Sequence, residues 1–514
     1  MQQQKNNFLD KNSLFAILFL GLCWLVWDAH MKKKYPQSPR KNHPQEQVKT
    51  PAIKAHEIKV PSSSRRFYKY FGRQLDLVFS SDGFGVSELK LKNYKDRKGD
   101  PIVFKSQQTP FFATQALETK QNLPFSIKKI SPSVFVGVFQ TKDLTLKKTI
   151  EINEKDMLLK TKIEFLKGSK SLEGLQTVFS KKLEEQPQQN FLIKMLTMYG
   201  KNQFKGFVFF QGKRNLFFEK DMEDKKTYTS VSIGALGGKY FGKAFVNKSS
   251  LSPSMEVEKV DDEILARMTY LFSKEKIKSL EYLSFFGPKS SKTLKPLGEE
   301  AKSWIDFGFF SWLSHPLLTL LNLFYKVSSN WGIAIIFLTF FIRLCLLPIN
   351  IKSYESMKKM QEIQPKIKDL KAQYKDDPKK LNLEVMALMK ENKANPLQGC
   401  FPLFFQMPIF FALYRVLGES IELYQAPFLL WVNDLSLKDP LYVLPVLAGA
   451  TLFVQQKLTP MNMPAAQARL LVFMPVLFSV FMLGLPSGLT LYIFVSGLFG
   501  LVQQAFFLKF KSHT

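Results

Sequence analysis

A chain of 514 residues has room for two to four domains, and 46% hydrophobic with 14% aromatic residues is ample for buried cores. The formal net charge is +29, of which residues 301–514 carry about +8 and the first 300 about +21. A basic folded region of this kind is drawn to anionic lipid head groups or acidic partners, and no nucleic-acid-binding motif accompanies the charge. The three cysteines, Cys23, Cys345 and Cys400, all lie in or beside apolar runs, which excludes a disulfide framework and leaves the compartment open.

Leu14–Trp27 is a short apolar run behind Lys5 and Lys11. The exit Trp27-Asp28-Ala29-His30 has no small-x-small cleavage pattern, and Leu22 before Cys23 is too large for a lipoprotein signal, so residues 1–30 read as an uncleaved transmembrane signal anchor. Residues 31–65, rich in Lys, Pro, Gln and Ser, have the composition of a disordered linker.

From about Phe67 to Gly287 the hydrophobic period becomes two. Phe135–Phe139, Leu144–Ile152 and Met157–Phe165 read as half-buried strands, separated by Gly, Pro, Asn, Asp and Ser. The pattern predicts one large antiparallel β-sandwich over 66–300. That region has no histidine and no cysteine, which removes the commonest acid–base, nucleophile and metal-ligand choices and favours a binding or scaffold domain over an enzyme. Residues 301–330, with Trp304, Phe307, Phe310, Trp312, Leu317, Leu320, Leu321 and Phe324, read as an amphipathic helix in the head-group layer, or alternatively one packed on the sandwich.

Trp331–Asn350 is apolar enough to span a bilayer yet contains Arg343. An arginine at a bilayer centre is unfavourable by roughly 2.5–3.5 kcal/mol on insertion scales, so it faces water, a partner or the interior of a bundle. The alternative is snorkelling, since polar sequence resumes at Asn350, about 10 Å further along a helix. A helical hairpin follows over 351–395: apolar residues step by three and four from Tyr354 to Tyr374, Asp377-Pro378 starts a second helix, and residues 354–392 carry nine basic and seven acidic side chains. Tyr354, Met357, Met360, Met386 and Met389 make an adaptable contact surface.

Four more apolar runs, Phe401–Leu417, Leu441–Val454, Leu470–Leu485 and Leu489–Leu508, complete a five-span bundle whose last part, 396–514, ends in a short basic tail. Residues 419–439 are acidic, whereas Lys457, Arg469, Lys509 and Lys511 are basic, and basic loops stay inside. The hairpin and both termini are then cytoplasmic and the sandwich lies outside. Lys32, Lys33 and Lys34 break the local rule, but several later spans outweigh them.

With these pieces in place, the C-terminal third resembles the YidC/Oxa/Alb family of membrane-protein insertases. The resemblance rests on TFFIR (339–343), LLPINIKSYESMKKMQEIQPKIKDLKAQYKDDP (346–378), NPLQGCFPLFFQMPIFFALYRVL (395–417), ELYQAPFLLWVNDLSLKDP (422–440) and LPSGLTLYIFVSG (485–497). An anchor plus a large sandwich is similar to the Gram-negative bacterial branch. The resemblance implies a multi-pass α-helical membrane bundle of the bacterial inner membrane, with a five-span core around a hydrophilic groove and a periplasmic domain. It also implies a groove lined by Arg343, Thr339, Tyr492 and Gln456, with Ile493 where the family often has a second tyrosine. Its activity would be insertion, folding and assembly of nascent membrane proteins without cofactor, metal or nucleotide, alone or beside the Sec translocon and its accessory subunits. The hairpin would receive substrates from the ribosome or the signal-recognition machinery. Rival readings are a small-solute transporter, which would need midplane ionisable groups or repeated halves, and an envelope scaffold with a glycan-binding sandwich. An intramembrane protease lacks an evident dyad, because the spans hold no His or Asp.

Overall fold

The computed structural model describes residues 65–510 apart from 97, 169–171, 184–203, 220–221, 223, 273–276, 376, 393, 395–400 and 459–464. The expected anchor and linker and the extreme C-terminus lie outside the described residues.

The described residues between Phe67 and Pro288 are mainly β-structure, with every paired strand antiparallel. Its strands form a four-stranded sheet in simple chain order, a five-stranded sheet and a nine-stranded sheet that runs from Lys213–Phe217 at one edge to Ser126–Ser131 at the other. The alternation is plain in Thr145–Asn153, where Leu146, Ile150 and Ile152 turn inward onto a large apolar core. Inward phase also belongs to Lys148, which is fully buried. Its Nζ donates to Gly83 O (3.2 Å), Phe112 O (3.0 Å) and Thr114 Oγ1 (3.0 Å), so each N–H of an ammonium has an acceptor. Lys243, on Phe241–Asn247, likewise crosses the interior to donate to Ser180 O and lies 3.5 Å from the centre of the Phe111 ring. Burial drives both amines well below the usual lysine range.

Residues 301–330 divide where one helix was expected. Two short 3-10 segments, Glu299–Trp304 and Gly308–Phe310, precede the helix, and Trp304 is buried in the sandwich, stacked on Phe207 with its indole N–H on Lys205 O at 3.4 Å. Gly308, at φ 70°, interrupts the chain in a conformation open to glycine, and Asp306 accepts its N–H at 3.2 Å. Helix α1, Ser311–Ser328, starts only there and buries Leu317, Leu318 and Leu321 in the second core.

Helix α2 runs unbroken from Trp331 to Glu362, capped by Asn330, whose side chain accepts from the N–H groups of Gly332 and Ile333. The expected span and the first arm of the hairpin are therefore one helix. It stops at Ile363, before Pro365 in α3, Gln364–Gln373. Helix α4, Pro378–Glu391, is capped by Asp377. Then come α5, Phe401–Glu419; α6, Val443–Leu458; α7, Ala465–Met482; and α8, Ser487–Phe510. Two described helices, Trp331–Glu362 and Ser487–Phe507, are long and apolar enough to cross a membrane by length and composition. The helical core gathers residues of α1, α2, α5, α6 and α8 around Ile335, Leu338, Leu413, Ala448 and Tyr492.

Candidate functional site

Arg343 lies 13 residues beyond the cap of α2, about 20 Å along its axis. It is half-buried against α8, and its Nε donates to Ser496 Oγ at 2.9 Å. Gly500 makes room for it: a Cβ there would stand 2.2 Å from the Gln455 amide nitrogen and 3.4 Å from the guanidinium. Around this point α2 and α6 both make polar contacts to α8. The Tyr354 hydroxyl reaches Gly500 O at 3.5 Å, Gln455 Nε2 donates to Gly497 O at 2.8 Å, and Asn350 Nδ2 donates to Gln503 Oε1 at 3.3 Å. The arginine's one hydrogen-bond partner among the described residues is a neutral hydroxyl, and no described carboxylate is within ion-pair distance. A guanidinium has five N–H donors, so four remain for water or an incoming acceptor.

Of the other residues expected at a groove, Tyr492 is buried one turn from Ser496 and accepts from Gln406 Nε2 of α5. Thr339 is fully buried one turn before Arg343, and its hydroxyl donates to Ile335 O at 2.7 Å on its own helix. Ile493 is buried and adds no polar group. Gln456 points about 100° round α6 from Gln455, and its buried Oε1 has no partner among the described residues. Ser496, Gln455, Gln406, Asn350 and Gln503 were not singled out from sequence. A signal existed, because Ser496, Gly500 and Gln503 recur at i, i+4 and i+7 of one apolar helix, and Gln406 is the polar residue in FFQMPIFF.

The residues expected to form the hairpin's contact surface are dispersed. Tyr354 belongs to the arginine seam and packs its ring 5.5 Å from that of Phe507. Met360 and Met389 pack around Ile363, Ile367 and Ala394 inside the hairpin, Met357 is half-buried, and Met386 is 68% exposed beside Leu383.

The sandwich meets the bundle at the end of α5. Lys205 Nζ donates to Glu419 Oε2 at 2.6 Å, the Tyr240 hydroxyl to Gly418 O at 3.4 Å, the Tyr424 hydroxyl to Lys95 O at 2.9 Å and Gln425 Nε2 to Asp96 O at 2.6 Å. Lys289 is buried in the same corner with its ammonium 5.4 Å from the Trp304 ring, and burial, aided by Lys205, pushes its amine down to about 7. Among the described residues no cluster of three His, Cys, Asp or Glu is arranged to hold a metal ion.

Comparison with known proteins follows these two regions. Residues 73–320 match the family model of the YidC periplasmic domain and residues 323–513 that of the 60Kd inner membrane protein. The membrane protein insertase YidC of Geotalea daltonii is 40% identical over 289 residues, 55% of this chain and 54% of the relative, so the match spans about half the relative's length. The membrane protein insertase YidC of Campylobacter jejuni is 29% identical over 540 residues, covering 98% of this chain and 97% of its own. A crystal structure of an active YidC insertase with its first transmembrane domain resolved is similar over 87% of this chain and 93% of its own, at 17% identity and a TM-score of 0.38.

Proposed function

The chain belongs to the YidC family, and from that premise we propose that it is a non-enzymatic insertase that moves the polar tails of nascent membrane proteins through an arginine-bearing groove. Its β-rich part is a periplasmic domain and its helical part an inner-membrane protein. In the proposed arrangement five spans form the groove, the hairpin and both termini are cytoplasmic, and the signal anchor provides a sixth span.

The observation that carries this reading is Arg343, half-buried in an apolar bundle with one of its five donors engaged by Ser496. An unsatisfied guanidinium in hydrocarbon is unfavourable, so the seam holds water and presents positive charge to a carboxylate. A substrate tail that enters the seam exchanges bulk water for this hydrated notch and has less hydrocarbon left to cross. The substrate's own helix then leaves sideways into lipid, where about 25 cal/mol per Å² of apolar surface removed from water drives the step. Partners follow from position: nascent membrane proteins at the groove, the Sec translocon beside it, and the ribosome or signal-recognition machinery at the hairpin.

The test is reconstitution of the protein alone in liposomes without nucleotide, scoring protease protection of a short acidic tail on a single-span substrate. Protection that falls with Arg343→Ala supports the groove mechanism. Equal protection of acidic and neutral tails by that variant refutes the arginine's role, and protection no better than in empty liposomes refutes autonomous insertion.

A further inference from the structure

The loop that joins α5 to α6, residues 420–442, buries Ser420, Ser436 and Asp439 while leaving Leu429, Leu430 and Leu441 exposed. Asp439, 1% exposed, accepts from the N–H groups of Leu441 (3.1 Å) and Leu444 (2.7 Å) and from the Trp431 indole (3.0 Å), so one carboxylate caps α6 and fastens the loop. Ser487, at the start of α8, donates its hydroxyl to Asp434 O at 2.9 Å, and Asn330, the cap of α2, donates to Phe428 O at 3.2 Å. Three helix starts thus hold one loop.

The tip is a tight turn closed by Phe428 N–H on Val432 O at 2.9 Å and Val432 N–H on Leu429 O at 3.1 Å. Leu430 adopts φ 55°, a left-handed conformation that L side chains rarely take. This braced turn leaves Leu430 83% and Leu429 56% exposed, with Leu441 beside α6 at 61%. Moving such leucines from water into an apolar phase is favourable in proportion to the area buried. A turn that adopts an unfavourable backbone conformation to display two of them is built against an apolar phase.

We propose that Leu429, Leu430 and Leu441 form a wedge that enters the outer leaflet of the bilayer, with Trp431 and Tyr442 at head-group level. Acyl chains suit this surface better than a protein partner. No charged residue occurs from 423 to 433, so the tip offers no pattern for a partner to read. The exposed apolar surface continues onto Val446 and Leu447 in the first turns of α6. Trp431 and Tyr442 each have their polar atom tied back, to Asp439 and to Lys438 Nζ at 3.3 Å, as rings at a membrane surface do. The proposal rests on the topology given above, which puts this loop outside.

The experiment places a polarity-sensitive nitrobenzoxadiazole label at Leu430→Cys in full-length protein whose Cys23, Cys345 and Cys400 are replaced by serine. The protein is reconstituted in phosphatidylethanolamine and phosphatidylglycerol liposomes carrying doxyl lipids spin-labelled near the head group or deep in the chain. Controls carry the label at Phe341→Cys on the exposed face of α2 and at Val260→Cys on the sandwich. The wedge predicts blue-shifted emission at 430, quenched at least twofold more strongly by the shallow than by the deep quencher, and water-like emission at 260. Water-like, unquenched emission at 430 with quenching at 341 overturns the wedge and leaves the insertase reading standing. Shielding at 430 that appears only on adding a substrate or translocon overturns it in favour of a protein surface. An unquenched label at 341 removes the membrane topology itself and the wedge with it.

Discussion

The sandwich and the bundle each bury a basic side chain, and they treat it in opposite ways. In the sandwich the Lys148 Nζ meets three fixed acceptors from other parts of the domain. Among the described residues of the bundle, Arg343 is tied by one neutral hydroxyl. A saturated cation rigidifies its surroundings and has nothing left to offer a ligand, whereas an undersaturated one keeps water beside it and can take a new acceptor without breaking an old contact. On the proposed function, structure and function are thus divided between two buried basic side chains by the number of acceptors each is given.

The largest expected effect breaks the contrast at Arg343. Arg343→Ala should slow insertion of acidic-tailed substrates at least about tenfold, since hydrogen bonds to charged groups are worth about 1.5–3 kcal/mol, while leaving thermal stability in detergent nearly unchanged; Arg343→Lys should recover part of the rate. Lys148→Ala should do the reverse. A cavity plus three orphaned acceptors predicts a loss of about 2–5 kcal/mol in chemical denaturation of the sandwich, with insertion per folded molecule preserved. A destabilised Arg343→Ala or a stable Lys148→Ala would undo the division.

Smaller effects sharpen it. Ser496→Ala removes the arginine's tether but not its charge, so insertion of acidic tails should fall about two- to tenfold, the worth of one modest hydrogen bond, and neutral tails should be unaffected. Lys289→Met tests whether the saturated region tolerates a poorly satisfied cation. Because its folded pKa is about 7 against an ordinary 10.5, the unfolded chain binds more protons between those values. Stability contributed at this site therefore rises with pH through that window, and the whole burial penalty applies below it. Melting in detergent should be raised by the substitution at pH 6 and unchanged near pH 10.5, the difference from the parent isolating Lys289 from Lys148 and Lys243.

Much of this was legible in the sequence where a period repeats. The strands Val134–Gln140, Thr145–Asn153 and Leu158–Lys167 fall within a residue or two of the alternating runs. Lys148 was legible in principle, because it shares parity with Leu146, Ile150 and Ile152, but composition weighs a lysine as exposed and only its acceptors, distant in sequence, say otherwise. Arg343 stood out because hydrocarbon makes any charge conspicuous. Its surroundings did not: Ser496 is 153 positions away, and a serine in an apolar helix carries no mark until the helix is docked. Gln455 and Gln456 are adjacent in sequence, and only the rotation of α6 about its own axis, set by packing against α8, brings the first beside Gly497 and Gly500. The expected helix over 301–330 was misread across its first ten residues, since Trp304 fits an amphipathic pattern as well as it fits the sandwich pocket formed with Phe207.

The continuity of α2 has a mechanical consequence. Its 32 residues make a rod of about 48 Å, while the hydrocarbon core is about 30 Å thick. On the proposed topology some 18 Å of the same rod projects into the cytoplasm and carries the hairpin at its end. No hinge lies between Arg343 and Glu362 other than Pro348, which the helix absorbs. On that topology a load placed on the hairpin is borne by the same rod that holds the guanidinium, and tilting one end reorients the other.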